Sequence, residues 1–201
     1  MSYRRVQQFF DEHAAGWDEA ALAQSHERLV EMTAHWQIKP GSRVLDVGTG
    51  TGVLFDLLSR KIGTGGLLAA VDVSFKMLEI ANRKKTGCRI GCVQADVIRS
   101  PFSPSYFDWA ICYSVFPHFD DQREALCVLA SRLRPGGRLV IAHSSSRQTI
   151  NEFHRKVGDV VGGDFIPEAT TMRMLIRRAG LTLERFADLP DRYEVIASRQ
   201  T

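Results

Sequence analysis

The apolar positions change rhythm near residue 40. Before it, Val6, Phe9, Phe10, Ala14 and Trp17 recur at helical spacing, and Leu22, Leu29, Met32 and Trp36 continue that rhythm in a second segment. Lys39-Pro40-Gly41 breaks it. Beyond this break, short apolar runs alternate with amphipathic ones. RVLDV (43–47) predicts a strand, followed by a helix beginning near Gly52. After a turn at 61–66, LLAAVDV (67–73) predicts the next strand, and Ser74 is placed to cap a helix over 75–85 with a basic end. RIGCV (89–93) is a strand, 100–105 a Pro- and Ser-rich loop, FDWAICYSV (107–115) a buried strand and 121–133 a helix. RPGG (134–137) predicts a turn into the strand RLVIAH (138–143). A helix over 147–157, a loop containing VGGDFIP (161–167) and a helix over 168–180 stopped by Gly180 follow. LTLERFA (181–187) and RYEVIAS (192–198) close the chain around DLPD.

Repeated strand–helix units imply right-handed crossovers and a parallel sheet covered on both faces. DLPD is too short for a parallel crossover, so the last two strands should pair antiparallel. The expected fold is α/β: a doubly wound, mostly parallel seven-stranded sheet with one antiparallel strand near the C-terminus and an N-terminal helical cover. One domain, 1–201, divides into a helical lid (1–38), a cofactor-binding core (42–143) and substrate-side helices with closing strands (144–201). Ligands of such sheets bind at the carboxyl ends of the strands, where strand order reverses. The exit of the first strand, Asp46 to Gly52, is that place.

Composition narrows the function classes. Of 201 residues, 44% are hydrophobic and 24% charged, with a net charge of +3 and no dense basic stripe of the kind that tracks nucleic acid. No window approaches the roughly 18 unbroken apolar residues of a membrane span, and the N-terminus shows no apolar signal core. The expectation is a cytoplasmic protein with no nucleic-acid or membrane partner. Cys112 and Cys127 fall in a strand and a helix; Cys88 and Cys92 lack a second pair, so no metal site is expected.

VLDVGTGTG (44–52) carries the chemistry. Gly48, Gly50 and Gly52 let a ligand approach the backbone, and the following helix offers unpaired N–H groups. A dinucleotide loop would be spaced G-x-G-x-x-G, and Asp46 would repel its pyrophosphate; a cationic ligand suits that carboxylate. Asp72 ends the adjacent strand, where an acid accepts from ribose hydroxyls. Asp96 ends the third, within reach of an adenine amino group. These motifs, with VDVS, QADV, FDWAICYSVFPHF and LRPGGRLVIAH in order, resemble the class I S-adenosylmethionine-dependent methyltransferases of the small-molecule type, over roughly 40–143. The resemblance implies S-adenosylmethionine as cofactor. Asp46, Gly48, Gly50 and Gly52 would line its methionine end, and Asp72 would hold the ribose. Val73 would lie beside the adenine and Met77 over it, unless both simply pack in the core. Asp96 and Val97 would meet the adenine edge, with Tyr113 and Ser114 below the sulfonium.

The implied reaction is methyl transfer to a small molecule by in-line displacement, which needs alignment and dryness more than activation. A base is needed only where the nucleophile must lose a proton. His118, after the fourth strand, is either that base or a loop residue packed on the lid; His143 ends the fifth strand beside the site. Arg147, Asn151 and His154 share one helix face and form either a substrate wall or a solvated face, with Ile150, Phe153 and Val157 expected against the sheet. Arg147 would favour an acidic substrate. The alternatives are a non-catalytic S-adenosylmethionine-binding sensor or scaffold, an NAD-dependent oxidoreductase, which the glycine spacing opposes, and methylation of RNA or protein, for which no appended module or NPPY-like tetrapeptide is present.

Overall fold

The computed structural model describes residues 3–17, 26–84, 86–158 and 160–200. Two helices cover the N-terminal side, α1 (Tyr3–His13), followed by a short 3₁₀ turn, and α2 (His26–Ala34). Leu22, expected in the second helix, lies outside the described residues. The rest alternates: β1 (Arg43–Val47), α3 (Phe55–Ile62), β2 (Leu67–Asp72), α4 (Phe75–Ala81), β3 (Arg89–Gln94), β4 (Phe107–Tyr113), α5 (Gln122–Arg132), β5 (Leu133–His143), α6 (Arg147–Val157), α7 (Ala169–Arg178), β6 (Leu181–Leu189) and β7 (Arg192–Arg199).

The seven strands form one sheet in the order β3-β2-β1-β4-β5-β7-β6. All neighbouring pairs are parallel except β5–β7 and β6–β7, so β7 is the single antiparallel strand. Order reverses between β1 and β4, which opens a crevice above their carboxyl ends. β1, β2, β4 and the second half of β5 are buried and nearly continuous in apolar side chains, as a sheet covered on both faces requires. Alternation divides the core. Leu45, Val47, Ala110 and Cys112 face one layer, with Leu126, Leu129, Met172 and Ile176 of α5 and α7. Val44, Ala70 and Ile111 face the other, with Leu29, Met32 and Trp36 and with Leu58 and Ile62 of α3.

The cover is fastened by polar contacts. Trp36 Nε1 and His35 Nε2 reach the fully buried carboxylate of Glu194 on β7, at 2.9 and 3.1 Å, and Arg185 Nε reaches it at 2.6 Å. Asp11 of α1 accepts from Ser74 Oγ at 2.6 Å and from Lys76 N at 3.1 Å, seating α1 over the start of α4.

Several boundaries differ from those the sequence predicts. RPGG is no free turn: Leu133 pairs with Phe107, and the ladder resumes at Arg138 with Trp109 after an irregularity, so β5 begins at Leu133. α3 starts at Phe55, because residues 51–54 form turns of the glycine loop. β6 and β7 run through to Leu189 and Arg192, leaving only Pro190 and Asp191 between them.

Candidate functional site

A cleft of about 510 Å³ opens above the carboxyl ends of β1, β2 and β4, under Val6, Phe10 and Trp17 of the N-terminal segment. Its volume suits a drug-sized ligand. At one end, Gly48 and Gly50 carry the loop between β1 and α3 through positive φ, +62° and +54°. A Cβ on Gly48 would strike Val115 Cγ2 at 2.2 Å, so this glycine permits the loop to pack on the segment after β4. At Gly50 a Cβ would meet nothing within 4 Å, and Gly50 lines the cleft: its bare backbone is open to a ligand.

Asp72 organises this loop. Its Oδ2 accepts from Gly50 N at 2.7 Å and its Oδ1 from Ser74 N at 2.8 Å, while Ser74 Oγ caps α4 by accepting from Met77 N. Burial raises the Asp72 carboxyl above its ordinary range, against hydrogen bonds from the backbone of Ser74, Gly50 and Val73. Asp96 lines the cleft, with Oδ1 accepting from Ile98 N at 2.9 Å. Val73, Met77, Val97, Tyr113 and Ser114 line the same end. Ser114 has φ +54°, a left-handed conformation that costs a non-glycine residue on the order of 1–3 kcal/mol and that gathers at ligand sites.

Two residues expected on this wall stand behind it. Asp46 is 2% exposed and accepts from Thr49 Oγ1 at 2.6 Å, beneath the loop; burial, opposed by that bond and aided by Asp72, pushes its carboxyl up to about 7. Gly52 is also absent from the lining: its missing side chain leaves room for the Phe55 ring, 2.8 Å from where a Cβ would sit.

The other end of the cleft gathers histidines. His118, in a 3₁₀ turn after β4, His143, at the end of β5, and His154, on α6, all line it. His118 Nδ1 lies 2.7 Å from Asp164 Oδ2, and His154 Nδ1 lies 2.6 Å from the Asp164 carbonyl. The His118 and His154 rings are 5.1 Å apart, and Phe10 meets His118 edge-on at 5.3 Å. Burial lowers His154, against its bond to Asp164. His143 is lowered to about 3 by burial, then by His118 and His154, and its Nε2 is sealed and unpartnered. Among the described residues no group of His, Cys, Asp and Glu is arranged to hold a metal ion.

The apolar face of α6 does not pack against the sheet as expected, while His154 of its polar face lines the cleft. The polar side is inward. Asn151 Nδ2 donates to Ile166 O and Asn151 Oδ1 accepts from Ile166 N, at 3.0 and 2.9 Å, and His154 binds the same loop at Asp164. Phe153 and Val157 are turned outward, 61% and 39% exposed, with Phe153 at the cleft wall; Ile150 alone packs on the core. Loop backbone needs hydrogen-bond partners more than α6 needs apolar cover there. Arg147 does not line the cleft. Its NH1 pairs with Glu168 at 2.9 Å, and its backbone N donates to Asp188. Asp164 carried no periodic or motif signal; only its lone position in VGGDFIP marked it.

A family model described as a methyltransferase domain matches residues 45–141. The chain is 31% identical over 133 residues to the ubiquinone/menaquinone biosynthesis C-methyltransferase UbiE of Wigglesworthia glossinidia brevipalpis, covering 64% of this chain and 52% of that one. It is 30% identical over 185 residues to the methyltransferase GfsG of Streptomyces halstedii, covering 85% and 64%. The chain thus spans between half and two thirds of the length of these relatives. Among solved structures, the magnesium protoporphyrin IX methyltransferase ChlM of Synechocystis PCC 6803 with bound S-adenosylhomocysteine superposes with a TM-score of 0.76 at 18% identity, over 98% of this chain and 99% of that one. The [4+2]-cyclase SpnF superposes with a TM-score of 0.77 at 16% identity, over 100% and 97%.

Proposed function

We propose, from the premise that residues 45–141 are a methyltransferase domain of the class I S-adenosylmethionine-dependent family, that this chain transfers a methyl group to a small-molecule acceptor. The observation that carries the reading is one continuous cleft. It joins a glycine loop and two strand-end carboxylates at one end to a histidine cluster at the other.

The residues present fit the cofactor. Gly50 offers open backbone, Asp72 and Asp96 line the cleft as carboxylates with more acceptor sites than their backbone bonds use, and Asp46 sets a carboxyl beneath a loop that would carry a cation. When bound, S-adenosylmethionine supplies an electrophilic methyl group on a positively charged sulfur. The chain's own work is to orient the ribose through Asp72, to keep Tyr113 and Ser114 near the reacting end, and to exclude water with Phe10 and Trp17. Enclosure under these side chains favours a small acceptor over a polymer. One fold neighbour is named a cyclase, so the fold does not choose the reaction; the histidine cluster at the reacting end favours group transfer with proton removal. The cysteines are free, which supports a reducing, cytoplasmic setting. No helix among the described residues is long and apolar enough to cross a membrane.

Calorimetry tests the cofactor, with S-adenosylhomocysteine binding expected in the micromolar range, about −8 kcal/mol, and NAD ignored. Transfer of labelled methyl into a small-molecule cell extract tests the reaction. Tight NAD binding without binding of either sulfur cofactor would overturn the reading; cofactor binding without transfer would leave the sensor role.

A further inference from the structure

We infer that the acceptor is an uncharged phenolic or enolic hydroxyl, and that His118, held by Asp164, takes its proton as the methyl group is transferred. The inference rests on the methyl-transfer reading and deepens it. A carboxylate and a carbonyl can only accept, so an imidazole bonded to either through Nδ1 carries its proton there. Asp164 does this twice, with its side chain to His118 and its main chain to His154. In the neutral ring this leaves the Nε2 lone pair to accept a proton, and among the described residues neither Nε2 takes a hydrogen bond within the protein. His143 lies behind them with its own Nε2 sealed. His118 alone has a carboxylate at its back to stabilise the imidazolium that forms.

Charge selects the acceptor. An anionic acceptor would meet Asp120 on the cleft lining and approach His118 with Asp164 behind it, and the cation expected to receive it, Arg147, is held outside the cleft by Glu168 and Asp188. Arg28 lines the cleft and gives one of its N–H groups to the Ser144 carbonyl at 2.8 Å. An amine free base already offers its lone pair and gives the dyad nothing to do. A weakly acidic hydroxyl, with a pKa around 10 as in a phenol, needs a base. The walls suit a flat ring: Phe10, Trp17, Phe119 and Phe153 are among the residues that line the cleft.

The step balances. The hydroxyl oxygen forms a bond to the methyl carbon of the sulfonium donor, the carbon–sulfur bond breaks with its pair going to sulfur, and the hydroxyl proton goes to His118 Nε2. The positive charge leaves the sulfur and reappears on His118 beside Asp164, so the net charge of the chamber is unchanged. His118 is the catalytic residue and Asp164 a positioning residue.

The test uses an isosteric set, a naphthol, a naphthylamine and a naphthoate, with the intact protein. S-adenosylhomocysteine binding is measured first; its absence would sink the cofactor reading and not this one. With the cofactor bound, labelled methyl is expected to reach the naphthol, while the naphthoate binds at least about tenfold more weakly. Asp164→Asn keeps the main-chain bond to His154 and removes the charge behind His118. It should lower kcat for the naphthol about 10²-fold with KM and S-adenosylhomocysteine affinity within about twofold. As a readout apart from turnover, para-nitrophenol bound beside S-adenosylhomocysteine should show the phenolate absorption in the parent and lose it in Asp164→Asn. Equal or preferred use of the naphthoate or naphthylamine, no transfer to any of the three by a protein that binds cofactor, or an Asp164→Asn protein with parental kcat and phenolate signal overturns the inference.

Discussion

In the Asp72→Ala protein, the N–H groups of Gly50 and Ser74 lose the carboxylate oxygens that accept them at 2.7 and 2.8 Å. Leaving a buried donor unpaired costs about 1–3 kcal/mol. Part of this returns, because burial raises the Asp72 carboxyl and its ionised form therefore carries a desolvation cost that Ala removes. The net loss of stability should be about 2 kcal/mol, which a domain of ordinary stability survives. The ligand loses more. Two ribose hydroxyls that would donate to a charged acceptor are worth about 2–4 kcal/mol together, or roughly 30- to 1,000-fold in Kd. Urea unfolding gives the first quantity and calorimetry with S-adenosylhomocysteine the second. Asp72→Asn, which keeps one accepting oxygen, should fall between. If Asp72→Ala unfolds cooperatively yet binds S-adenosylhomocysteine within about threefold of the parent, the ribose assignment is wrong.

Asp46 gives a pH dependence. Its carboxyl is raised from 3.8 to about 7, so between those values the folded protein keeps a proton that the unfolded chain releases, and stability conferred by this group falls as pH rises through the window. Asp46→Asn should remove that slope in urea midpoints; an unchanged difference between parent and variant from about pH 4 to about pH 7 would contradict the burial argument. Gly48→Ala drives a Cβ into Val115 at 2.2 Å and should destabilise by about 3 kcal/mol or more, whereas Gly50→Ala meets no atom and should cost about 1 kcal/mol of stability while weakening cofactor binding about tenfold or more. Thermal melts and calorimetry together separate the two glycines, and equal melting points would refute the contrast. Glu194→Ala strips the shared acceptor from His35, Trp36 and Arg185 and should cost about 3–5 kcal/mol; a urea midpoint within error of the parent would show that the cover is not fastened there.

The sheet was legible because its signals are local. Apolar runs bounded by turns give the seven strands, and the short link before residue 192 gives the antiparallel one. The place of the glycine loop on the cleft was legible for the same reason: Gly48, Gly50, Asp72 and Asp96 sit at strand exits, and a strand exit fixes position without knowledge of distant contacts. Spacing could not show that Asp46 and Gly52 lie a layer deeper. That depends on Thr49 and Phe55 closing over them. The acceptor end was read poorly. Helical periodicity put Arg147, Asn151 and His154 on one face, but it does not say which way a face turns. The 160–168 loop brings backbone groups that must be paired, and it claimed Asn151 and His154.

The two halves of the cleft therefore differ in how they are built. The cofactor half is held by bonds within a strand–loop–helix unit and its parallel neighbour, Asp72 to Gly50 and Ser74. The histidine half is tied together by Asp164, which reaches His118 across 46 positions of sequence and His154 across 10, with Asn151 holding the same loop at Ile166. Changes in the 160–168 loop can shift His118 and His154 without touching a strand of the sheet or a contact of the glycine loop. Arg147 shows the same separation from the other side. Its partners, Glu168 and Asp188, tie α6 to the start of α7 and the end of β6, so its charge serves the scaffold. Beside the histidines the cleft keeps Asp120 on its lining and Asp164 behind His118, two carboxylates that repel an incoming anion, while Arg28 supplies the positive charge of the lining.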